Sequence, residues 1–158
     1  MPKSILFSIL LFLFIAPLQA ATSADRVRDA LQAEARAVEQ KDMTTIERLW
    51  AHDDGVTVFE NGHGNYGWAD YRDHHLKPEI EHMANVRYQL SDIVPHVIGA
   101  SAWVTFKYTM SADVPERHID SNGVGTAVLE KRGGAWKIVH WRSSAARPRP
   151  SAAAPAKP

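Results

Sequence analysis

The chain holds 158 residues, 45% hydrophobic, 23% charged and 9% aromatic, which is the composition of an ordinary globular domain and excludes disordered, collagenous and coiled-coil chains. Eighteen Lys and Arg offset eighteen Asp and Glu, so no basic surplus is available to neutralise the phosphates of a nucleic acid. Cysteine is absent, which excludes disulfides, thiolate metal sites, Cys nucleophiles and lipidation of a Cys, whereas the eight histidines stand out.

Residues 1–20 read as a secretory signal peptide: Lys3 is the positive start, Ser4 to Ala16 is almost wholly apolar, Pro17 breaks the helix and Ala20-Ala21 offers a small-residue cleavage site. That apolar run falls short of the roughly 20 residues that span a bilayer. The mature chain is therefore expected to be secreted or periplasmic, with no stable membrane anchor after cleavage. From Asp25 to Gln40, Val27, Leu31, Ala35 and Val38 recur at three- and four-residue spacing between charges, which predicts an amphipathic helix capped by Thr22 and Asp25. Asp42 opens a second helix with the stripe Met43, Ile46, Leu49 and Trp50, ended by Asp53-Asp54-Gly55. Val56 to Glu60 reads as a short strand and Asn61 to Gly67 as a Gly-rich loop. Trp68 to Met83 reads as two helical pieces meeting near Lys77, because Pro78 cannot donate to the carbonyl of His74.

The remainder is strand-rich. Val86, Tyr88 and Leu90 alternate with Arg87, Gln89 and Ser91; Gly99-Ala100-Ser101 turns the chain; Ala102 to Met110 is dense in Trp, Val, Thr, Phe and Tyr. Ile119 to Lys131 and Ala135 to Ser143 are joined by Arg132-Gly133-Gly134, a strong hairpin signal. Helices followed by a meander predict an α+β fold, with the N-terminal helices packed on one face of a curved antiparallel sheet. Residues 145–158 carry Pro148, Pro150, Pro155 and Pro158 among Ala, Arg and Lys and are expected to be a disordered tail. Every Asp and Glu lies between Asp25 and Glu130, so the body over 25–144 is mildly acidic and, at about 120 residues, large enough for one core.

Three stretches together resemble a known family: Trp50-Ala51-His52-Asp53-Asp54-Gly55-Val56 leading into a strand, Gly67-Trp68-Ala69-Asp70-Tyr71 after the Gly-rich loop, and Gly133 through Trp136-Lys137-Ile138-Val139-His140-Trp141-Arg142-Ser143 at the end. With two leading helices, this layout resembles the nuclear transport factor 2-like superfamily and, within it, the SnoaL-like group, over residues 25–144. The resemblance implies a cone enclosing one pocket, often in a homodimer packed through the outer sheet face. It implies no single reaction, since that superfamily hosts isomerases, cyclases, dehydratases and assembly domains. The catalytic pairs of ketosteroid isomerases and scytalone dehydratases match no motif here, and neither activity is carried over.

Three groups of residues are candidates for chemistry. On the last strand, alternation puts Trp136, Ile138, His140 and Arg142 on one face and Lys137, Val139, Trp141 and Ser143 on the other. Lys137 marks the outside, so His140 and Arg142 are expected to line the pocket with Trp68, Tyr71 and His63, and Val139 with Trp141 to form an outer dimer patch. His140, Glu60 and Asp120 are the candidate catalytic groups, the carboxylates as general bases or as partners that orient a histidine. A second cluster comprises His63, His74, His75, Glu79 and His82. His75, Glu79 and His82 stand four and three residues apart, a spacing that brings two imidazoles and a carboxylate to one ion if the helix continues through Pro78. A third possibility is convergence of His63, His75, His118 and His140 at the mouth. Such a thiol-free site would suit Zn²⁺ or Cu²⁺. Two functions follow, an exported domain that binds a small organic ligand in its cone or a noncatalytic periplasmic metal-binding protein; a dimeric interaction module with a filled pocket is a third.

Overall fold

The structure, a computed structural model, describes residues 20–146. The signal peptide read at 1–20 and the tail read at 145–158 lie outside the described residues, apart from Ala20 and Ala145–Ala146. The first amphipathic stretch forms α1 (Ser23–Gln40), opened by a reciprocal capping box. The Thr22 hydroxyl accepts from the Asp25 N–H at 3.2 Å, and the Asp25 carboxylate accepts from the Thr22 N–H at 3.1 Å. In α2 (Met43–Leu49), Asp42 caps by accepting from the Thr45 N–H. This helix stops at Leu49, before the acidic pair expected to end it, because Trp50 turns extended and bridges Ile138.

The Gly-rich loop is instead a hairpin of β1 (Thr57–Glu60) and β2 (His63–Tyr66). Its two central residues, Asn61 and Gly62, both have positive φ (50° and 91°), the combination that the tightest hairpin turn requires and Asn-Gly supplies. The helical stretch after it is continuous: α3 (Trp68–Tyr71), a π-turn (Arg72–Leu76) and α4 (Lys77–His82). Tyr71, Leu76 and Ile80 face the core at spacings of five and then four, which is the trace of the widened turn. Pro78 falls in the first turn of α4, where a missing N–H is tolerated, so the expected break near Lys77 is a change of pitch and the helix runs on.

Strands β3 (Ala84–Ile98), β4 (Ser101–Val114), β5 (Arg117–Arg132) and β6 (Ala135–Ala145) form the meander. The curved, unclosed sheet has the order β2-β1-β6-β5-β4-β3. It is mixed, not wholly antiparallel, because β1 runs parallel to β6, a pairing made possible by the long connection between them. Bulges bend it: Asn85 and Asp92 in β3 take positive φ where the register to β4 shifts. A third bulge lies where Val128 pairs with His140 while Leu129 pairs with Ile138, which leaves Val139 surplus. The core lies between the helices and the inner sheet face, where Val27 and Leu31 of α1 and Ile46 and Trp50 of the α2 segment meet Val104, Phe106, Leu129, Ile138 and Trp141.

Candidate functional site

Between the helices and the curved sheet lies a cavity of about 380 Å³, within the size range of small-ligand sites. Glu34 reaches it from the buried face of α1, at 3% exposure. Trp50 Nε1–H donates to Glu34 Oε1 at 2.9 Å, while Oε2 has no hydrogen-bond partner. Burial pushes the carboxyl up to about 8, against the lowering effect of the Trp50 bond, so at neutral pH the group is the uncharged acid. An uncharged acid with one oxygen left without a partner is a spare donor in the wall of the cavity. Tyr71 and Tyr88 line the same space, and burial, reinforced by the Glu60 and Glu34 charges, holds both phenols well above their ordinary value. Around Glu34, Tyr71 and Tyr88 the wall is therefore uncharged and sets donors among apolar side chains such as Val38, Leu76 and Ile80.

At the mouth, charges converge. His75 sits on the π-turn, one α-helical turn before Glu79, and both face the end of β1, where Glu60 stands. His75 Nε2 lies 3.2 Å from Glu60 Oε2 and 3.2 Å from Glu79 Oε1. Its Nδ1 lies 2.8 Å from Asn65 Oδ1. The amide of Asn65 is fixed in turn, because its Nδ2 donates to Asp70 Oδ2 at 3.0 Å, so Oδ1 faces the imidazole and Nδ1 must carry a hydrogen. Hydrogen bonds to Glu60 and Glu79 raise His75 to about 10, outweighing its partial burial. Ser143 Oγ–H donates to Glu60 Oε1 at 3.2 Å and steadies that carboxylate. Glu60 and Glu79 each line both the cavity and a shallow outer cleft with His63, His74 and His75, so the cluster stands on the sill between solvent and interior.

Several expected site residues lie elsewhere, those on β6 for one shared reason. The Val139 bulge breaks the alternation of β6, so Trp136 and Ile138 face inward and then Trp141 and Ser143 do. His140 and Arg142 accordingly lie on the outer face and do not line the cavity. The His140 ring is half-buried there, its Nδ1 2.7 Å from Thr57 Oγ1 and its edge against Phe59. Burial holds its pKa below the ordinary value, with Arg142 acting in the same direction. Trp141, expected in an outer dimer patch, is 4% exposed and packs on Phe106, and Val139 packs partly against the core. Exposed apolar side chains on the outer face include Val94, Ile98, Trp103 and Val124.

Tyr71 lines the cavity as expected, whereas Trp68 stacks between Trp50 and His52, outside its lining. His63 lies in the outer cleft with its ring centroid 5.7 Å from that of His75. His82 is exposed and bonds the Pro78 carbonyl, and His118 stands between Asp113 and Asp120 beside the turn of the β4–β5 hairpin. Neither meets His75, and Asp120 is solvent-facing. Among the described residues, the group whose ligand atoms lie within 4.8 Å of one another is Glu60, His75 and Glu79. A second depression, of about 420 Å³, lies on the outer sheet face between Val94, Val124, Arg142 and the Lys107–Asp92 ion pair.

Sequence reading passed over Glu34 and Asn65. Glu34 carried a signal, a carboxylate seven residues after Val27 inside an apolar stripe.

The model of the SnoaL-like domain matches residues 27–148. No curated protein matches the chain in sequence. Among solved structures, a candidate dehydratase of the NTF2-like family from Streptomyces avermitilis superposes with a TM-score of 0.71 at 18% identity, over 79% of this chain and 96% of that one. A candidate ketosteroid isomerase from Shewanella frigidimarina gives 0.62 at 20% identity, over 73% and 92%. The CaMKII hub of S. rosetta gives 0.67 at 22% identity, over 81% and 100%. At these identities the likeness is one of fold.

Proposed function

Because the chain belongs to the SnoaL-like domain family of the NTF2-like superfamily, we propose that it binds a small, uncharged, largely apolar organic molecule in its cone. The observation that carries this reading is Glu34: a fully buried acid in the wall of the cavity, one of whose oxygens has no partner, lacks only an acceptor. A carbonyl oxygen against Glu34 would satisfy that donor, and Tyr71 and Tyr88 supply further donors. Glu60 and Glu79 are groups able to move a proton at the same cavity, which leaves room for turnover of the bound molecule.

Trp50 and Trp141 line the cavity, so intrinsic fluorescence reports its occupancy. Titration with a panel of cyclic and aromatic ketones is expected to give saturable quenching by at least one member, weakened about tenfold or more in Glu34→Leu, the loss of one buried hydrogen bond. Saturation that is unchanged in Glu34→Leu, or the lack of any saturable member, would refute the reading.

Two further properties belong to this proposal. The mature protein is a homodimer joined through the outer sheet face, a reading supported by the exposed Val94, Trp103 and Val124. It is exported, a reading supported by the residue 1–20 pattern and by the start of α1 just after Ala20-Ala21. No helix among the described residues is long and apolar enough to cross a membrane. The N-terminal residue of the secreted product, read by mass spectrometry, is expected to be Ala21; retained residues 1–20 would refute export by this route.

A further inference from the structure

We propose that Glu60, His75 and Glu79 form a divalent transition-metal site at the mouth of the cavity, with Zn²⁺ as its fitting ion. This inference stands apart from the ligand reading, because it concerns the sill and not the interior.

The donor set suits the ion: one imidazole nitrogen and two carboxylate oxygens are ordinary zinc ligands, and two carboxylates with a neutral imidazole balance a double positive charge. The spacing suits it too. Two ligands at about 2.0–2.1 Å from a tetrahedral ion stand roughly 3.3 Å apart, and His75 Nε2 lies 3.2 Å from each carboxylate. The imidazole is already set for ligation. Asn65 Oδ1 accepts from Nδ1–H and is itself held through Asp70, so Nε2 is the nitrogen presented to the carboxylates. A ligating histidine needs this support, which fixes its tautomer and ring plane before the ion arrives. Without the ion, a proton on Nε2 is shared by the same two oxygens, so the ion takes the place of that proton.

The donors come from the end of β1, the π-turn and α4, so three separate elements bring two carboxylates onto one imidazole nitrogen. Three protein ligands leave a coordination position open, and Glu60 and Glu79 border both the cavity and the outer cleft, so the site stands between the proposed ligand space and solvent.

The test is equilibrium dialysis of the untagged full-length product against Zn²⁺, with the metal counted by elemental analysis, beside the variants His75→Ala, Glu79→Gln, His82→Ala and His118→Ala. One Zn²⁺ per chain is expected, with affinity at least tenfold lower in His75→Ala and in Glu79→Gln and within about twofold of the parent in the other two. Glu79 is half exposed, so Glu79→Gln keeps the test sound if His75→Ala fails to fold, and circular dichroism identifies that case. No stoichiometric Zn²⁺, unchanged binding in Glu79→Gln, or an equal loss in His118→Ala would overturn the proposal. Ketone titration of metal-free protein reads the interior separately, so failure of either proposal is distinguishable from failure of the other.

Discussion

Glu34→Gln isolates the energetic cost of a buried acid. Glutamine keeps the shape and an oxygen to accept from Trp50 Nε1, but it cannot ionise. In the native protein burial raises the Glu34 carboxyl from 4.5 to about 8. Between those limits the folded chain holds a proton that the unfolded chain has released, so stability falls as pH rises, by about 1.4 kcal/mol per pH unit. Below the lower limit both states are protonated, and this loss vanishes. The variant lacks the slope, so it should match the parent near pH 4 and exceed it by about 4 kcal/mol near pH 7.5. Urea unfolding of both proteins at several pH values between these gives the difference curve directly. Other titrating groups are common to the two chains and cancel. Parallel stability curves would refute the reasoning, since they would mean that Glu34 is ionised in the fold or hydrated through the cavity.

Trp50→Phe removes the hydrogen bond that Glu34 accepts, and urea unfolding is expected to show a loss of about 1–3 kcal/mol for the orphaned acid, with the pH-dependent decline extended upward; an unchanged pH profile would count against this. Gly123→Ala places a Cβ into the Ser144 carbonyl oxygen and 2.8 Å from Tyr108 Cε1, so the β5–β6 ladder must open, at about 1–3 kcal/mol; an unaltered melting temperature would show that the strands have slack there. Truncating Leu31, fully buried under the sheet, to Ala should cost about 3–5 kcal/mol by thermal unfolding. The double variant Trp103→Glu, Val124→Glu places charge on the outer face and is expected to sediment as a folded monomer; a retained dimer would move the interface elsewhere.

The parts of the fold that were legible are those where local chemistry and packing agree. The stripe from Val27 to Val38, the Asp42 cap and the Gly133-Gly134 turn each mark their element with residues that few other conformations favour. The hairpin at Asn61-Gly62 was missed, because the neighbouring glycines suggest a loop; the turn residues carry its signal and the later glycines do not. His75 with Glu79 was visible as a four-residue pair. Glu60 could not be joined to them, because that contact depends on how the β1–β2 hairpin meets the helix. His140 was misplaced by a period-two argument that holds up to Ile138 and fails one residue later. A bulge has no composition of its own, and only the pairing of β5 with β6 reveals it.

The π-turn and the Val139 bulge are both places where the backbone carries one residue more than a regular element needs. Removing a residue from the π-turn, such as Asp73, would restore ordinary helical spacing between Tyr71 and Leu76, and both would still face inward. Removing Val139 would likewise leave Ile138 and Trp141 inside and His140 outside. Chain length can therefore vary by one at either point without changing which side chains meet in the interior. A relative lacking one of these residues should be aligned with its gap at that point, because a gap set elsewhere would exchange the wall of the cavity with the outer surface.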